Sequence, residues 1–236
     1  LLPAVLLALG LFAVPAGAEL SPDTVALELT PGDCAAVEKT VTITGLPAKA
    51  DVLFAFDLTG SMEGILETAK ERAGDIMAQL NASGVDIHYG VISYMDYPGY
   101  YDFCDYGATY GDAGYGDYPY SLDVPVTGDE AAVQAAIGAL QIGWGVDEPE
   151  AYARALYESW ADPGIGWREG AKRVLVNFGD DVPHDCDVNE GLYPGVWSTG
   201  KDPGRDGVVG TGDDIDFQDD ALQGMIDNHI VLLACQ

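Results

Sequence analysis

The stretch Asp51-Val-Leu-Phe-Ala-Phe-Asp-Leu-Thr-Gly-Ser-Met62 decides the fold expected for this chain. Its first half is a nearly continuous apolar run, which is typical of a strand covered on both faces of a sheet. Its second half is more polar, and a helical pattern follows over residues 61–80, where apolar side chains recur at three- and four-residue spacing. A buried strand that leads through a short turn into a helix is the first unit of an α/β fold.

The same alternation of strands and helices continues along the chain. Strands are predicted over residues 85–95, 172–178 and 229–235, and helices over residues 129–141, 148–160 and 217–227. Alternating elements of this kind predict an α/β fold with a doubly wound, mostly parallel central sheet flanked by helices, as in Rossmann-like proteins. Ligands bind such sheets at the carboxyl ends of the strands, so functional residues are expected in the loops there.

The N-terminal part predicts two further segments. Residues 1–18 are an apolar run followed by small residues, which is typical of a secretory signal peptide, here incomplete at its N-terminus. Residues 24–30 and 38–45 alternate apolar and polar side chains, so a β hairpin from an incomplete β-sandwich is predicted over residues 19–48. The α/β domain is expected to occupy residues 49–236 and to be truncated at its C-terminus.

The charge balance limits the classes of partner. Ten Lys and Arg against 39 Asp and Glu give the 236 residues a formal net charge of −29 at pH 7. Such a surface repels nucleic acid and anionic lipid, so we expect neither nucleic-acid binding nor membrane insertion of the mature domain. Divalent cations and basic partners suit this surface.

The four cysteines are Cys34, Cys104, Cys186 and Cys235. Export of the chain makes disulfides possible, and four cysteines allow three full pairings. None has the C-x-x-C spacing that is typical of zinc sites. Cys104 and Cys186 each lie in a long acidic loop and are the preferred disulfide pair, whereas Cys235 ends an apolar run.

Three loops at predicted strand ends carry oxygen-bearing side chains: Asp57-Leu-Thr-Gly-Ser61, Asp147-Glu-Pro-Glu150 and Gly179-Asp-Asp181. Asp57, Thr59 and Ser61 are alternate residues of an extended turn, so their side chains can point toward one centre. One carboxylate and two hydroxyls form an all-oxygen set that suits hard cations such as Mg2+ or Ca2+. Because hydroxyls are neutral, such an ion stays electrophilic and can take a partner's carboxylate at an open position.

The pattern D-x-[ST]-x-S at the end of an apolar strand resembles the metal-ion-dependent adhesion site of von Willebrand factor A domains. The whole block from Asp51 to Met62 and the order of the other two loops are similar as well. The resemblance covers residues 49–236 and implies an extracellular adhesion domain without enzymatic activity. It also implies a Mg2+ or Mn2+ ion that captures an Asp or Glu of a protein ligand, with Asp180 as the third-loop ligand and Asp181 as its rival.

Within that family the chain looks more like the integrin β subunit, whose second loop reads D-x-P-E and adds its Glu to the metal shell. Here Glu150 takes that role beside Asp57, Thr59, Ser61 and Asp180. The sequence Met95-Asp-Tyr-Pro98 matches a further integrin β motif at a strand end. The resemblance therefore implies a neighbouring Ca2+, and the residues expected to hold it are Asp96, Asp147 and the carbonyl of Pro149, with Glu150 as the bridge.

The chain also departs from the integrin β pattern. Gly145 stands where that pattern has an Asn side-chain ligand. Gly64 and Ile65 stand where adjacent acids serve a regulatory ion, so that ion site is expected to be missing. Residues 97–122 match the position of the integrin β specificity loop and are expected to set selectivity.

Residues 202–213 form a second candidate for calcium. Numbered as a 12-residue calcium loop, they place Asp202 at position 1, Asp206 at position 5 and Asp213 at position 12. Position 3 is Gly204, which removes one ligand, and no helix of the EF-hand type is predicted before the loop. The alternative is a solvated acidic loop.

Each motif also has a simpler interpretation. Ser61 or Thr59 could cap the following helix, Asp147 could serve the next helix N-terminus, and Asp180 could be a turn residue. The occurrence of all three at the ends of buried strands favours the metal site. His184 is expected close to it.

Three functions follow from these residues. The leading hypothesis is metal-dependent adhesion or protein recognition outside the cell. The alternatives are a metal-dependent hydrolase, which would use the ion to activate water, and a structural cell-surface module whose ions only stiffen loops.

Overall fold

The structure is a computed structural model, and it describes residues 18–21, 40–43, 49–187 and 198–235. The chain divides into two compact units, Leu1–Pro47 and Ala48–Gln236. In the described parts, no helix is long and apolar enough to cross a membrane.

In the first unit, β1 (Ala18–Ser21) pairs antiparallel with β2 (Thr40–Ile43). β2 lies inside the predicted strand 38–45 and pairs with β1. Residues 24–30 lie outside the described residues, as do residues 1–17 of the predicted signal peptide. The signal peptide and the β-sandwich therefore stay predictions.

The second unit contains the expected α/β fold. Its strands are β3 (Lys49–Asp57), β4 (Asp86–Tyr94), β5 (Gly99–Phe103), β6 (Tyr106–Gly111), β7 (Ser121–Thr127), β8 (Lys172–Phe178) and β9 (Ile230–Cys235). The central sheet has the order β7-β4-β3-β8-β9. β3 is parallel to both neighbours, β8 is parallel to β9, and only the edge strand β7 runs antiparallel. The predicted mostly parallel sheet is confirmed.

Helices connect these strands close to the predicted positions. They are α1 (Leu66–Asn81), α2 (Glu130–Ala139), α3 (Tyr152–Ala161) and α4 (Gln223–Asp227). A 3-10 turn at Gly60–Gly64 leads into α1, another at Pro163–Ile165 follows α3, and a π-helical turn at Phe217–Leu222 precedes α4.

Side-chain alternation along β3 explains why helices cover both faces of the sheet. Phe54 and Phe56 belong to one hydrophobic cluster, which α1 and α2 complete. Leu53 and Ala55 belong to the other cluster, which α3 and α4 complete. All four side chains are fully buried. A strand buried on both faces needs the continuous apolar run that the sequence provides.

Residues 97–122, which were expected to form a long specificity loop, contain regular structure. β5 and β6 form a separate antiparallel hairpin inside this segment. The two turn residues, Cys104 and Asp105, have φ angles of 45° and 64°. Two positive φ angles are what the two-residue type I′ turn requires, because its twist matches that of the flanking strands.

A disulfide joins Cys104, at the tip of this hairpin, to Cys186, in the loop after β8. The Cα atoms lie 5.7 Å apart. This confirms the preferred pairing and ties the β5–β6 hairpin to the loop after β8. Cys235 is a free, half-buried thiol, and Cys34 lies outside the described residues.

Candidate metal centre

Four predicted ligands meet where β3 and β8 end. Asp57 Oδ1 accepts a hydrogen bond of 2.6 Å from the Thr59 hydroxyl, whose oxygen lies 3.3 Å from that of Ser61. The Ser61 hydroxyl donates to Asp180 Oδ1 at 2.9 Å. Oxygens from two separate loops therefore form one continuous group. We call Asp57, Thr59, Ser61 and Asp180 the outer cluster.

The local sequence explains this convergence. Asp57 is the last residue of β3 and is fully buried, and its Oδ1 also accepts from the Thr59 backbone N–H at 2.9 Å. Its Oδ2 accepts from the Tyr152 hydroxyl at 2.7 Å, so α3 fixes the carboxyl from the other side. Ser61 lies in the 3-10 turn before α1 and is exposed. A buried carboxyl thus lies beneath an accessible hydroxyl.

The two candidate acids of the third loop, Asp180 and Asp181, make different contacts. Asp180 reaches Ser61, as the sequence favoured. Asp181 donates its backbone N–H to the Tyr152 hydroxyl, and its own carboxyl accepts from the Val182 N–H at 2.8 Å. Asp180 is therefore the third-loop acid that joins the outer cluster, while Asp181 lines the groove beside it.

Burial controls the charge of Asp57. It raises the pKa of Asp57 to about 6, against the lowering effect of the hydrogen bonds from Thr59 and Tyr152, and the negative charge of Asp180 adds to the rise. The raised pKa means that the negative charge of ionised Asp57 is not fully stabilised by water or by its hydrogen-bond donors. A bound cation provides that stabilisation, since opposite charge favours ionisation.

Glu150, the predicted second-loop ligand, is only 3% exposed, and its Oε2 has no hydrogen-bond partner. Burial, together with the negative charges of Asp96, Asp57 and Asp147, raises its pKa to about 12. Glu150 therefore lies among the carboxylates that the sequence predicted it to bridge. Pro149 is buried in the same loop.

Gly145 stands where the resemblance to the integrin β pattern implies an Asn, and the structure leaves no room for a side chain there. Its φ angle is 63°, in the region that favours glycine. A Cβ at this position would lie 2.6 Å from Glu150 Oε1 and 3.0 Å from the Thr59 methyl group. The close approach of the Glu150 carboxyl occupies the space that a side chain at this position would need.

A second group of ligand atoms lies deeper. Asp96, Asp147 and His184 each place one such atom within 4.8 Å of the others. We call these three residues the inner cluster. Asp96 follows β4, Asp147 lies in the loop before α3, and His184 follows β8, so three loops contribute. Asp96 and Asp147 were predicted to share an ion, whereas His184 was only expected nearby.

Burial shifts the titration of all three groups. It raises the pKa of Asp96 well above its usual range, raises that of Asp147 to about 7, and lowers that of His184. The Tyr106 hydroxyl donates to Asp147 Oδ2 at 2.8 Å, but Asp147 Oδ1 is buried without a partner. The tyrosine-rich hairpin therefore covers the inner cluster instead of projecting all its rings toward solvent.

An open groove of about 630 Å³ lies beside the outer cluster. Ser61, Trp144, Glu148 and Asp181 are among the residues that line it. Trp144 is 51% exposed and stacks on Tyr115, which is 62% exposed, with ring centroids 5.1 Å apart. Tyr97 and Tyr110, in contrast, are buried. Tyr115 is thus a residue of the 97–122 segment that a partner at this groove could touch.

The loop 202–213 has a different character. Asp202 is fully buried, and its carboxyl accepts from the Tyr97 hydroxyl at 2.7 Å, from the Gly204 N–H at 2.9 Å and from the Arg154 N–H at 3.0 Å. Asp213 accepts from the Asp206 N–H and the Thr211 hydroxyl. These carboxylates are partnered within the protein, and calcium at this loop stays a prediction.

The carboxylates and hydroxyls of the outer cluster form a donor set that suits a hard divalent cation, and the inner cluster and Glu150 add buried oxygens that lack donors. Asp147 Oδ1 and Glu150 Oε2 are buried acceptors without donors. Leaving one such group unpaired costs about 1–3 kcal/mol, more when it is charged. A cation held by carboxylates and hydroxyls would satisfy these oxygens and offset the mutual repulsion of the acids.

No family model and no curated protein matches the chain. Several solved structures are similar to part of it. The pilus adhesin SpaC from Lactobacillus rhamnosus GG, in an open conformation, is 15% identical with a TM-score of 0.46, over 79% of this chain and 23% of its own. The type V pili tip protein Mfa5 from Porphyromonas gingivalis is 14% identical with a TM-score of 0.41, over 62% of this chain and 22% of its own.

A third similar structure is the proximal thread matrix protein 1 from the mussel byssus, with a zinc-occupied MIDAS motif. It is 12% identical with a TM-score of 0.42, over 80% of this chain and 35% of its own. The chain therefore spans at most about a third of the length of these three proteins. At these identities and TM-scores they establish neither a family nor a function for this chain.

Proposed function

We propose that the second unit is an extracellular, adhesion-type binding domain of the von Willebrand factor A kind. It captures a carboxylate of a protein partner through a Mg2+ or Mn2+ ion at the outer cluster. The observation that carries this proposal is the convergence of Asp57, Thr59, Ser61 and Asp180 at the ends of two parallel strands. Glu150 joins them from the second loop.

The chain's own residues define what the site can do. Tyr152 and the Thr59 N–H hold the Asp57 carboxyl in place from both sides. Ser61 is exposed, so the outer face of the cluster opens to the groove. The ion would supply an electrophilic position for an incoming carboxylate, because its hydroxyl ligands leave much of its charge uncompensated.

The rim of the groove favours a protein partner. Trp144 and Tyr115 present a stacked, exposed aromatic pair there. Aromatic side chains of this kind carry a large share of the binding energy in protein interfaces. The disulfide between Cys104 and Cys186 supports an oxidising, extracellular setting.

A hydrolase at this site would need a general base beside an activated water. The imidazole on this edge of the sheet is His184, and it is fully buried. Both its nitrogens already face partners, the Thr199 carbonyl and the Asp96 carboxyl. This arrangement favours recognition over hydrolysis.

The proposal is tested with defined ligands. The full chain is presented to immobilised peptides that carry Asp or Glu and to matched peptides that carry Asn or Gln, in Mg2+ and in chelator. We expect binding to the acidic peptides in Mg2+ alone, and loss of that binding in Ser61→Ala. Ser83→Ala, which removes an exposed hydroxyl at the far end of α1, is the matched control and should bind normally.

Three results would contradict the proposal in different ways. Binding that ignores Mg2+ removes the ion from the mechanism. Cations that raise thermal stability without any carboxylate binding indicate a structural module. Ion-dependent turnover of an ester or phosphodiester panel, lost in Ser61→Ala, indicates a hydrolase.

A further inference from the structure

The His184 ring has a fixed orientation. Its Nδ1 lies 2.8 Å from the Thr199 carbonyl oxygen, and the Tyr110 ring stacks on it with centroids 3.6 Å apart. A carbonyl can only accept, so Nδ1 carries the hydrogen. In the neutral ring, Nε2 then carries a lone pair that points toward Asp96.

This lone pair faces a carboxyl group. Nε2 lies 3.1 Å from both Oδ1 and Oδ2 of Asp96. Both groups are fully buried. A lone pair and a carboxylate at this distance need a proton or a cation between them.

Two further atoms favour the cation. Asp147 Oδ1 is buried without a hydrogen-bond partner, and so is Glu150 Oε2, on a side chain that is only 3% exposed. A single proton between His184 and Asp96 leaves both oxygens unsatisfied. A cation held by His184, Asp96 and Asp147 can satisfy Asp147 Oδ1 and offset the negative charge around Glu150.

We propose that the inner cluster is a mixed nitrogen and oxygen site for a first-row transition ion, with His184 Nε2 and the carboxylates of Asp96 and Asp147 as ligands. This differs from the Ca2+ that the integrin β resemblance implies. Ca2+ takes six to eight oxygen ligands, whereas imidazole together with carboxylates suits Zn2+ and its neighbours. Ligand atoms on one Zn2+ lie about 3 Å apart, as the Nε2 to Asp96 distances do.

The surroundings of His184 are those of a metal ligand. Metal-binding histidines usually donate the other ring N–H to a carbonyl or carboxylate, which orients the ring. Thr199 provides that carbonyl, and its hydroxyl in turn donates to the Pro183 carbonyl at 2.8 Å. The Tyr106 hydroxyl likewise orients Asp147 by donating to its Oδ2, and Oδ1 stays available to an ion.

The test titrates the metal-free full chain with Zn2+ and with Ca2+ by calorimetry. We expect Zn2+ to bind the inner cluster at least about a hundredfold more tightly than Ca2+. His184→Gln and Asp147→Asn should each weaken Zn2+ binding at least about tenfold, the smallest effect typical even of an outer-shell change. His88→Gln, a half-exposed histidine beside Asp86 near the start of β4, is the matched control and should change nothing.

A second measurement needs no variant. Mn2+ bound to the wild-type inner cluster should show imidazole nitrogen coupling in pulsed electron paramagnetic resonance. Its absence would overturn the proposal, as would a folded His184→Gln that keeps full Zn2+ affinity. Failure of the wild type to bind Zn2+ would leave only a proton between His184 and Asp96.

This inference is separable from the proposed adhesion function. Asp57→Asn removes a ligand of the outer cluster, and it should leave Zn2+ binding at His184 unchanged. Mg2+-dependent peptide binding can therefore fail while Zn2+ binding holds, or the reverse.

Discussion

Two acidic regions of this protein use the same residue type in opposite ways. In the loop 202–213, the carboxylates of Asp202 and Asp213 accept hydrogen bonds from hydroxyl or backbone N–H donors. In the loop before α3, Asp147 and Glu150 each keep a buried oxygen without a donor. The density of acids is therefore a poor guide to a cation site. What distinguishes Asp147 and Glu150 is a buried oxygen that the protein itself leaves unsatisfied.

The largest expected effect concerns the outer cluster, which lies beside Glu150 of this loop. Asp57→Asn should weaken Mg2+ or Mn2+ binding at the outer cluster by at least about a hundredfold, since even outer-shell changes cost roughly 10–100-fold. Calorimetric titration measures it. Glu169→Gln, which removes an exposed charge in the loop before β8, should bind the ion as the wild type does. Equal affinity in Asp57→Asn and the wild type would show that Asp57 is not a ligand.

The second effect tests the loop 202–213, whose carboxylates are hydrogen-bonded within the protein. Asp202→Asn should lower the free energy of unfolding by about 2 kcal/mol, because a buried acceptor with several donors loses its charge. Denaturant unfolding measures this loss, which we expect to be the same with and without Ca2+. A loss that occurs only in Ca2+ would assign the loop to calcium and break the contrast drawn above.

A smaller effect concerns the cover of the inner cluster. Tyr106→Phe removes the hydroxyl that orients Asp147 and should weaken ion binding there by roughly tenfold. Tyr100→Phe, an exposed tyrosine of the same hairpin, is the control. If both variants bind Zn2+ equally well, the hairpin covers the site without orienting it.

The smallest effect is a pH dependence of the metal-free protein. Burial raises the pKa of Asp57 to about 6 and that of Asp147 to about 7 in the folded state. An acid whose pKa is raised by folding contributes most to stability at low pH, and this contribution is lost as the pH rises through the folded pKa. In chelator we therefore expect the melting temperature to fall between pH 5 and pH 8.

The expected difference between wild type and Asp57→Asn over this range is a few °C, since about 1 kcal/mol corresponds to roughly 2–4 °C at this size. Differential scanning calorimetry with saturating Mg2+ should remove most of it, because the ion compensates the ionised acids. A wild type and variant with parallel pH profiles in chelator would contradict the idea that burial of Asp57 carries this cost.

Much of the fold could be predicted because its signals are local. The apolar run of β3 and the helical spacing that follows it identify both elements without any tertiary information. β7 was missed for a physical reason: it is an edge strand that contains Pro125, and proline weakens the signal for a strand. The β5–β6 hairpin was missed because its positive-φ turn has neither Gly nor Asn.

The convergence of the outer cluster could be predicted on the same local grounds, while metal binding there stays a prediction. Asp57, Thr59, Ser61 and Asp180 could be selected because each follows a recognisable strand or begins a helix. The role proposed for His184 could not be predicted, because it depends on the Thr199 carbonyl, which comes from 15 residues further along the chain. A signal was present nonetheless: His184 follows Asp181 by three residues in a loop that was already assigned to the site.

The bond between Cys104 and Cys186 makes the geometry of the inner cluster depend on the redox state of the protein's surroundings. The bond joins the β5–β6 hairpin, which covers the inner cluster, to the segment that contains His184. Under reducing conditions this covalent tie would be absent, so we expect the proposed ion at His184 to bind more weakly there than in the oxidised protein.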